Sequence, residues 1–463
     1  MHRRAYFAAA LTAALLASAS YAGAADAPAA APAAAKPMAK AAPGGRDLAA
    51  TTTPEAVGFD AQRLKMLDDY MAKVVAEGRV AGMTTLLARH GKVVEFKTYG
   101  KTSLATGQAM PKDEIFRIYS MSKPLTGVAM MTLFEQGKWR LDDPVTRYVP
   151  EFKNLKVMVE ADKDGHITKV EDMKRPPTMR EIMSHTAGFG YGLGDRHPVD
   201  KLYREKKVLS ATGLHQMIER TAEIPLMYQP GTSWSYSSAV DIQGYIVEKL
   251  SGESFGKYLQ DHVFGPLKMK DTGFYTGAAK ANRLAAVYVG EVVDKKPTGR
   301  IVEANDLFGS SMPDYSKPPA MESGGGGLVS TTMDYARFCQ MILNKGVLDG
   351  VRVLAPSSIE LMDTNVIPHN VLVSNNGTGV AQFNEAVGFG LDFMVVKDAR
   401  AAGMNEGDKT MSWGGAAGTW FWIDPTNDVI FVGMIQRMGG SGGDDLGTQA
   451  RTLTYQALVH PEK

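Results

Sequence analysis

The chain of 463 residues is too long for one small core and fits one large or two intimate domains. A hydrophobic fraction of 44% and a charged fraction of 22% belong to an ordinary globular protein rather than a disordered or fibrous one. Lys and Arg number 51 against 50 Asp and Glu, so there is no electrostatic case for nucleic acid or an anionic membrane surface as partner.

Arg3 and Arg4, an apolar run from Ala5 to about Ala17 and small residues up to Ala22-Gly23-Ala24 read as an export signal over residues 1–24. The paired arginines before Ala5-Tyr6-Phe7 are similar to a twin-arginine signal. The run is too short for a mature membrane anchor, so a periplasmic or secreted location is expected. Residues 25–54, Ala/Pro-rich in their first part, read as a flexible linker. Cys339 is the single cysteine, so no internal disulfide is expected. Its helical spacing with Tyr335, Phe338 and Ile342 makes it a core thiol.

The folded part opens with a helix over Asp60–Glu77, Asp60 serving as N-cap. Strands Met83–Arg89 and Val93–Tyr99 follow, joined as a hairpin at His90-Gly91-Lys92. Leu125–Glu135 reads as an apolar, buried helix ending at Gly137. Further helices are expected over Arg180–Met183, Gly213–Arg220, Val240–Leu250 and Ser254–His262, with a hairpin over Val157–Val170. Asp162-Lys163-Asp164-Gly165 at that hairpin has no loop of ligands around it and reads as a turn, not a calcium site. Thr331 and Asp334 suggest a capping box for a helix to Leu343. Trp420–Ile423 and Val429–Gln436 form a hairpin about Asp424–Asp428, and a last helix spans about Asp445 to Val459. The pattern is α+β. An α/β lobe is built from residues 55–119 and 320–458, and a mainly helical lobe, 120–319, is inserted between them.

Ser120 and Lys123, three residues apart, share a helix face, so the amine can reach the hydroxyl. A lysine held neutral by burial could take the serine proton. The pattern alone is weak, since about two Ser-x-x-Lys matches are expected by chance in a chain this long. The second match, Ser254 and Lys257, follows Gly252-Glu253 and reads as a helix cap with a solvent-facing charge. Gly439-Gly440-Ser441-Gly442-Gly443 formally matches a nucleophile elbow, but too little chain follows to carry an acid and a histidine, so it reads as a turn. Ser120 differs in its setting: Ile115-Phe116 and Ile118-Tyr119 precede it and the buried helix follows, so it sits where free N–H groups favour developing negative charge. Tyr236, in Tyr236-Ser237-Ser238, is a candidate proton carrier, and the glycines of Trp413-Gly414-Gly415-Ala416 would let a substrate approach the backbone.

In order and spacing these motifs resemble the serine beta-lactamase and penicillin-binding-protein superfamily, and within it the class C-like branch that includes beta-lactamase-fold carboxylesterases. Leu141-Asp-Asp-Pro-Val145, Ser184-His-Thr-Ala-Gly188, Glu253-Ser-Phe-Gly-Lys257, Gly324-Gly-Gly-Gly-Leu-Val-Ser-Thr331 and Gly414-Gly-Ala-Ala-Gly-Thr419 carry the same resemblance, over about residues 55–458. It implies a beta-lactamase/transpeptidase-like fold, with an antiparallel sheet flanked by helices. It implies an acyl-enzyme on Ser120, general-base work shared by Lys123 and Tyr236, and an oxyanion hole at the N–H groups of Ser120 and Ala416. It implies substrate contacts at Ser238, Trp413, Gly414 and Gly415, and no metal or organic cofactor. His185, within one of the shared motifs, reads as a structural hydrogen-bonding residue.

The lactamases of this branch usually carry asparagine where Ser238 stands, and Lys-Thr-Gly where this chain has Trp413-Gly414-Gly415. A neutral indole cannot replace the lysine that binds the lactam carboxylate, so a small ester or amide, and an ester first, is the expected substrate. A beta-lactamase or D-amino-acid peptidase or amidase is the alternative. A penicillin- or peptidoglycan-binding protein with little turnover is the alternative of another class.

Overall fold

Strands buried on both faces need apolar residues in both alternating sets, and this chain supplies them at its two ends. Leu86 and Ala88 face one side of strand β1 (Gly82–Arg89) while Met83 and Leu87 face the other. Strand β2 (Lys92–Gly100) returns as the hairpin. The remaining strands are β3 (Val387–Phe389), β4 (Met394–Val396), β5 (Met411–Gly414), β6 (Trp420–Asp424) and β7 (Val429–Met434). All seven form one antiparallel sheet in the order β3-β4-β5-β6-β7-β1-β2. This computed structural model describes residues 46–461 apart from 194–196, 295, 305, 308–309, 312, 375–382 and 440–445. The expected signal over 1–24, most of the linker and the Ser441 turn lie outside the described residues.

Helix α1 (Ala61–Ala76), capped by Asp60, whose carboxylate accepts from Arg63 N–H, lies on one face of the sheet. Leu64, Leu67, Met71 and Val74 meet Trp422 and Phe431 there, together with Leu446 and Leu453 of the last helix, α5 (Leu446–Ala457). The other face packs on α4 (Thr332–Leu343), whose Tyr335 and Phe338 meet Phe421 and Phe393. Cys339 is buried in that helix. Helices α2 (Ser122–Glu135) and α3 (Ala239–Ser251) are buried beyond it and bring the catalytic candidates towards the sheet. The fold is thus α+β and beta-lactamase-like, an antiparallel sheet between helical layers.

Two expectations need correction. Residues 46–54 are not linker: Leu48 is buried, its N–H donates to Gly91 O, and Thr51 bridges Val93, so this segment covers the edge of β2. It has too few apolar residues for any periodicity to betray it. At α4, Thr331 Oγ1 accepts from Asp334 N–H at 3.2 Å, but the Asp334 carboxylate accepts from Asp271 N–H and the Thr272 hydroxyl instead of closing a reciprocal box. The second Ser-x-x-Lys pair is structural, as expected, with Ser254 capping the short helix Phe255–Leu259 and exposed Lys257 bridging Glu253 and Asp261.

Arg89 ties the start of the fold to its end. The residue is 2% exposed, and its guanidinium donates to Val57 O, Asn427 O and His460 O. Arg89→Met leaves those carbonyls short of a donor, and the expected loss is about 3 kcal/mol of unfolding free energy, measured by urea denaturation.

Candidate active site

The nucleophile candidate owes its place to a strained step in the chain. Phe116–Arg117 pairs antiparallel with Val329–Ser330, and Ile118 N–H donates to Leu328 O. Tyr119 then adopts φ +41°, a left-handed value uncommon for an aromatic residue. That turn ends the strand and presents Ser120, half-buried, in a short 3-10 turn ahead of α2. The Tyr335 hydroxyl, donating to Met121 O at 2.9 Å, pins the turn from below. A strap of glycines, Gly324–Gly327, runs beside α2, where Thr126 Oγ1 donates to Gly324 O and Leu328 N–H donates to Ser122 Oγ.

Lys123 is 0% exposed, yet each of its ammonium hydrogens has an acceptor. Nζ lies 3.1 Å from Ser120 Oγ, 3.1 Å from Tyr191 OH and 2.6 Å from Gly325 O. It also lies over the Tyr236 ring, 4.4 Å from the centroid. Burial by itself pulls the lysine pKa down, but the phenols of Tyr191 and Tyr236 outweigh it and the net displacement is upward. Nζ is thus placed as a hydrogen-bond donor to all three oxygens. Burial pushes the Tyr191 phenol up, against the opposing pull of Lys123.

Tyr236 is half-buried at the mouth of this arrangement, and its hydroxyl accepts from Trp413 Nε1 at 3.3 Å. Trp413 and Gly414 are the last two residues of β5, paired with Phe421 and Trp420. The following turn closes tightly on the serine side: a Cβ on Gly415 would lie 2.5 Å from Ile118 O. Only glycine permits that approach. The structure thus brings Ser120, Lys123, Tyr236, Trp413 and the Gly414–Gly415 step together, with Ala416 the next, exposed residue of the chain. It does not bring Ser238 to the cleft. That side chain is 0% exposed at the head of α3, and its N–H donates to Gly190 O, so the expected substrate contact is corrected to a buried structural one.

Three participants escaped the sequence reading. Tyr191 lies in a loop whose N–H groups, at Tyr191 and Gly192, both donate to Asp200 Oδ1. Its only sequence signal is a tyrosine flanked by glycines. The Gly325 carbonyl belongs to a strap whose glycines resemble ordinary turn residues. Asp241, in the first turn of α3, is fully buried; Ser323 Oγ donates to its Oδ1 at 2.5 Å and Gly325 N–H at 3.2 Å. Burial raises its pKa, with Ser323 and Lys123 pulling the other way. Among the described residues no group of acidic, histidine or cysteine side chains could hold a metal ion.

Residues 67–456 match the Beta-lactamase family, and the chain belongs to it. It is 34% identical over 367 residues to Protein Rv1367c of Mycobacterium tuberculosis, covering 79% of this chain and 88% of that one. It is 29% identical over 392 residues to Esterase EstB of Burkholderia gladioli, covering 81% and 91%. Among solved structures, EstCE1, a hydrolase with promiscuous acyltransferase activity, matches with a TM-score of 0.69 at 25% identity over 85% of this chain and 98% of its own. Family, fold and these relatives together support a serine hydrolase.

A Cβ on Gly325 would lie 2.7 Å from Asp241 Oδ2 and 2.8 Å from Tyr191 OH. Gly325→Ala must displace the Asp241 carboxylate and the Tyr191 hydroxyl or shift the strap that carries the Lys123 acceptor. The expected cost is about 2 kcal/mol of stability, read by urea denaturation, together with slower labelling of Ser120 by a fluorophosphonate.

Proposed function

We propose that the protein is an exported serine carboxylesterase that cleaves small or short-chain esters through an acyl-enzyme on Ser120. The observation that carries this reading is Lys123 Nζ at 3.1 Å from Ser120 Oγ, beside Tyr236. Its narrowing to esters rests on the indole of Trp413 at the position where the lactamases hold a lysine. The signal-like residues 1–24 support export to the periplasm or beyond, and no helix among the described residues is long and apolar enough to cross a membrane.

In acylation, Ser120 Oγ bonds to the ester carbonyl carbon and its proton passes to the Lys123–Tyr236 pair. The carbonyl oxygen collects negative charge facing the N–H groups of Ser120 and Ala416. The tetrahedral intermediate then expels the alcohol, which takes the proton back from the pair. Water repeats the sequence on the acyl-enzyme and releases the acid. Base work requires the pair to hold one proton fewer than in the resting site, whether the vacancy lies on nitrogen or on phenolic oxygen. Trp413 Nε1 orients the Tyr236 oxygen, and the exposed Gly414 borders the space left for the acyl group. No metal or organic cofactor enters any step.

Ser120→Ala is expected to abolish cleavage of nitrophenyl acetate and butyrate. Lys123→Met and Tyr236→Phe should each lower kcat by about a hundredfold or more. Retention of esterase activity by Ser120→Ala would overturn the site. Faster turnover of a chromogenic cephalosporin or a D-alanyl peptide than of either ester would move the substrate class to the alternatives, and a stable adduct without turnover would mark a binding protein. Because the lysine pKa is displaced upward, deprotonation of the pair lies on the alkaline side. The acylation rate is therefore expected to rise about tenfold per pH unit below the pair's apparent pKa, measured as kcat/KM between pH 6 and 9.

A further inference from the structure

His185 is buried, lies within the aromatic wall of the site, and has no part in the steps above. We infer that His185 is the positioning residue for Tyr236, clamping the backbone on both sides of it. The inference rests on the reading of Tyr236 as the proton carrier. Ser235 N–H, immediately before Tyr236, donates to His185 O at 2.9 Å. Ser237 N–H, immediately after it, donates to His185 Nδ1 at 3.2 Å, and the Ser237 hydroxyl lies 2.8 Å from the same nitrogen. One residue thus holds both neighbours of Tyr236, one through its carbonyl and the other through its ring.

The bond from Ser237 N–H decides the tautomer. A backbone N–H needs an acceptor, so Nδ1 is unprotonated and the ring proton sits on Nε2. Nε2 is buried without a hydrogen-bond partner among the described residues. The imidazole as a whole packs among aromatic rings: the Trp234 and Phe389 rings stand edge-on with centroids 5.5 and 5.6 Å from its own, and the Tyr236 centroid is 4.9 Å away. Burial first, and the Lys123 charge second, hold the imidazole pKa well below its ordinary value, so the ring remains a neutral acceptor. His185 itself has φ +59°, a left-handed backbone that turns its carbonyl and its ring towards the same segment. A residue needing only to fill space would not require that conformation.

The clamp predicts an effect on kcat rather than on substrate affinity. Active sites are counted by fluorophosphonate titration, so each rate refers to folded enzyme alone. His185→Ala is expected to lower kcat for nitrophenyl acetate about tenfold or more, with KM within about twofold. Asparagine tolerates a left-handed backbone and places an acceptor oxygen near the Nδ1 position. His185→Asn should therefore recover kcat to within about threefold of wild type, whereas His185→Gln, whose acceptor lies one bond further out, should not. If His185→Ala gives no titratable sites, the Asn and Gln pair decides the matter. In a Tyr236→Phe background, His185→Gln should cost less than about twofold more, because the group it positions is already gone. Equal kcat for His185→Gln and wild type, with Tyr236→Phe impaired, overturns the clamp and leaves the Tyr236 reading intact. Full activity in Tyr236→Phe overturns both.

Discussion

A lysine buried away from solvent, whose ammonium must find partners whenever it is protonated, is the constraint on which the rest of this site depends. Taking such a charge out of water is costly unless its hydrogens find acceptors. Lys123 meets the demand with three neutral oxygens drawn from three separate parts of the chain: Ser120 on its own turn, Tyr191 on a loop, and Gly325 on the glycine strap. Each must approach closely, and the approach dictates local sequence. Gly325 has no room for a side chain, Tyr119 accepts a left-handed backbone, and Asp241 and Asp392 are buried within range of the charge.

The sheet supplies the rigid reference for this arrangement. Its strand β5 ends at Gly414, and the turn that follows closes against Ile118 just before the serine. Trp413 on the same strand reaches Tyr236, which packs among His185, Tyr191 and Trp234. Tyr236, the proposed proton carrier, is therefore held by an aromatic wall and by backbone bonds, while Lys123 is held by polar ones. A packed aromatic wall suits that task because its rings cannot shift singly without opening a void.

Much of the fold was legible because its signals are local. The capped helix at Asp60, the hairpin at Gly91 and the hairpin between Trp420 and Val429 each carry periodicity and turn chemistry within a few residues. What escaped lacked such signals. The segment 46–54 is ordered by an edge strand far along the chain, and the helix Pro198–Glu205 falls between the expected helices Arg180–Met183 and Gly213–Arg220. Ser238 was misplaced because a family motif gives the residue type at a position but not the direction of its side chain.

The sequence by itself determined the nucleophile candidate, its lysine and its tyrosine, because their spacing and their flanking apolar residues recur in order along the chain. It also determined that the position taken by a lysine in the lactamases is an indole here, at Trp413. Only the tertiary structure surrounded that lysine with acceptors, since two of them come from residues some 70 and 200 positions away. It alone joined Tyr191, Gly325 and Asp241 to the site and showed His185 on both sides of Tyr236. Those relations are contacts between distant segments, and no local pattern encodes them.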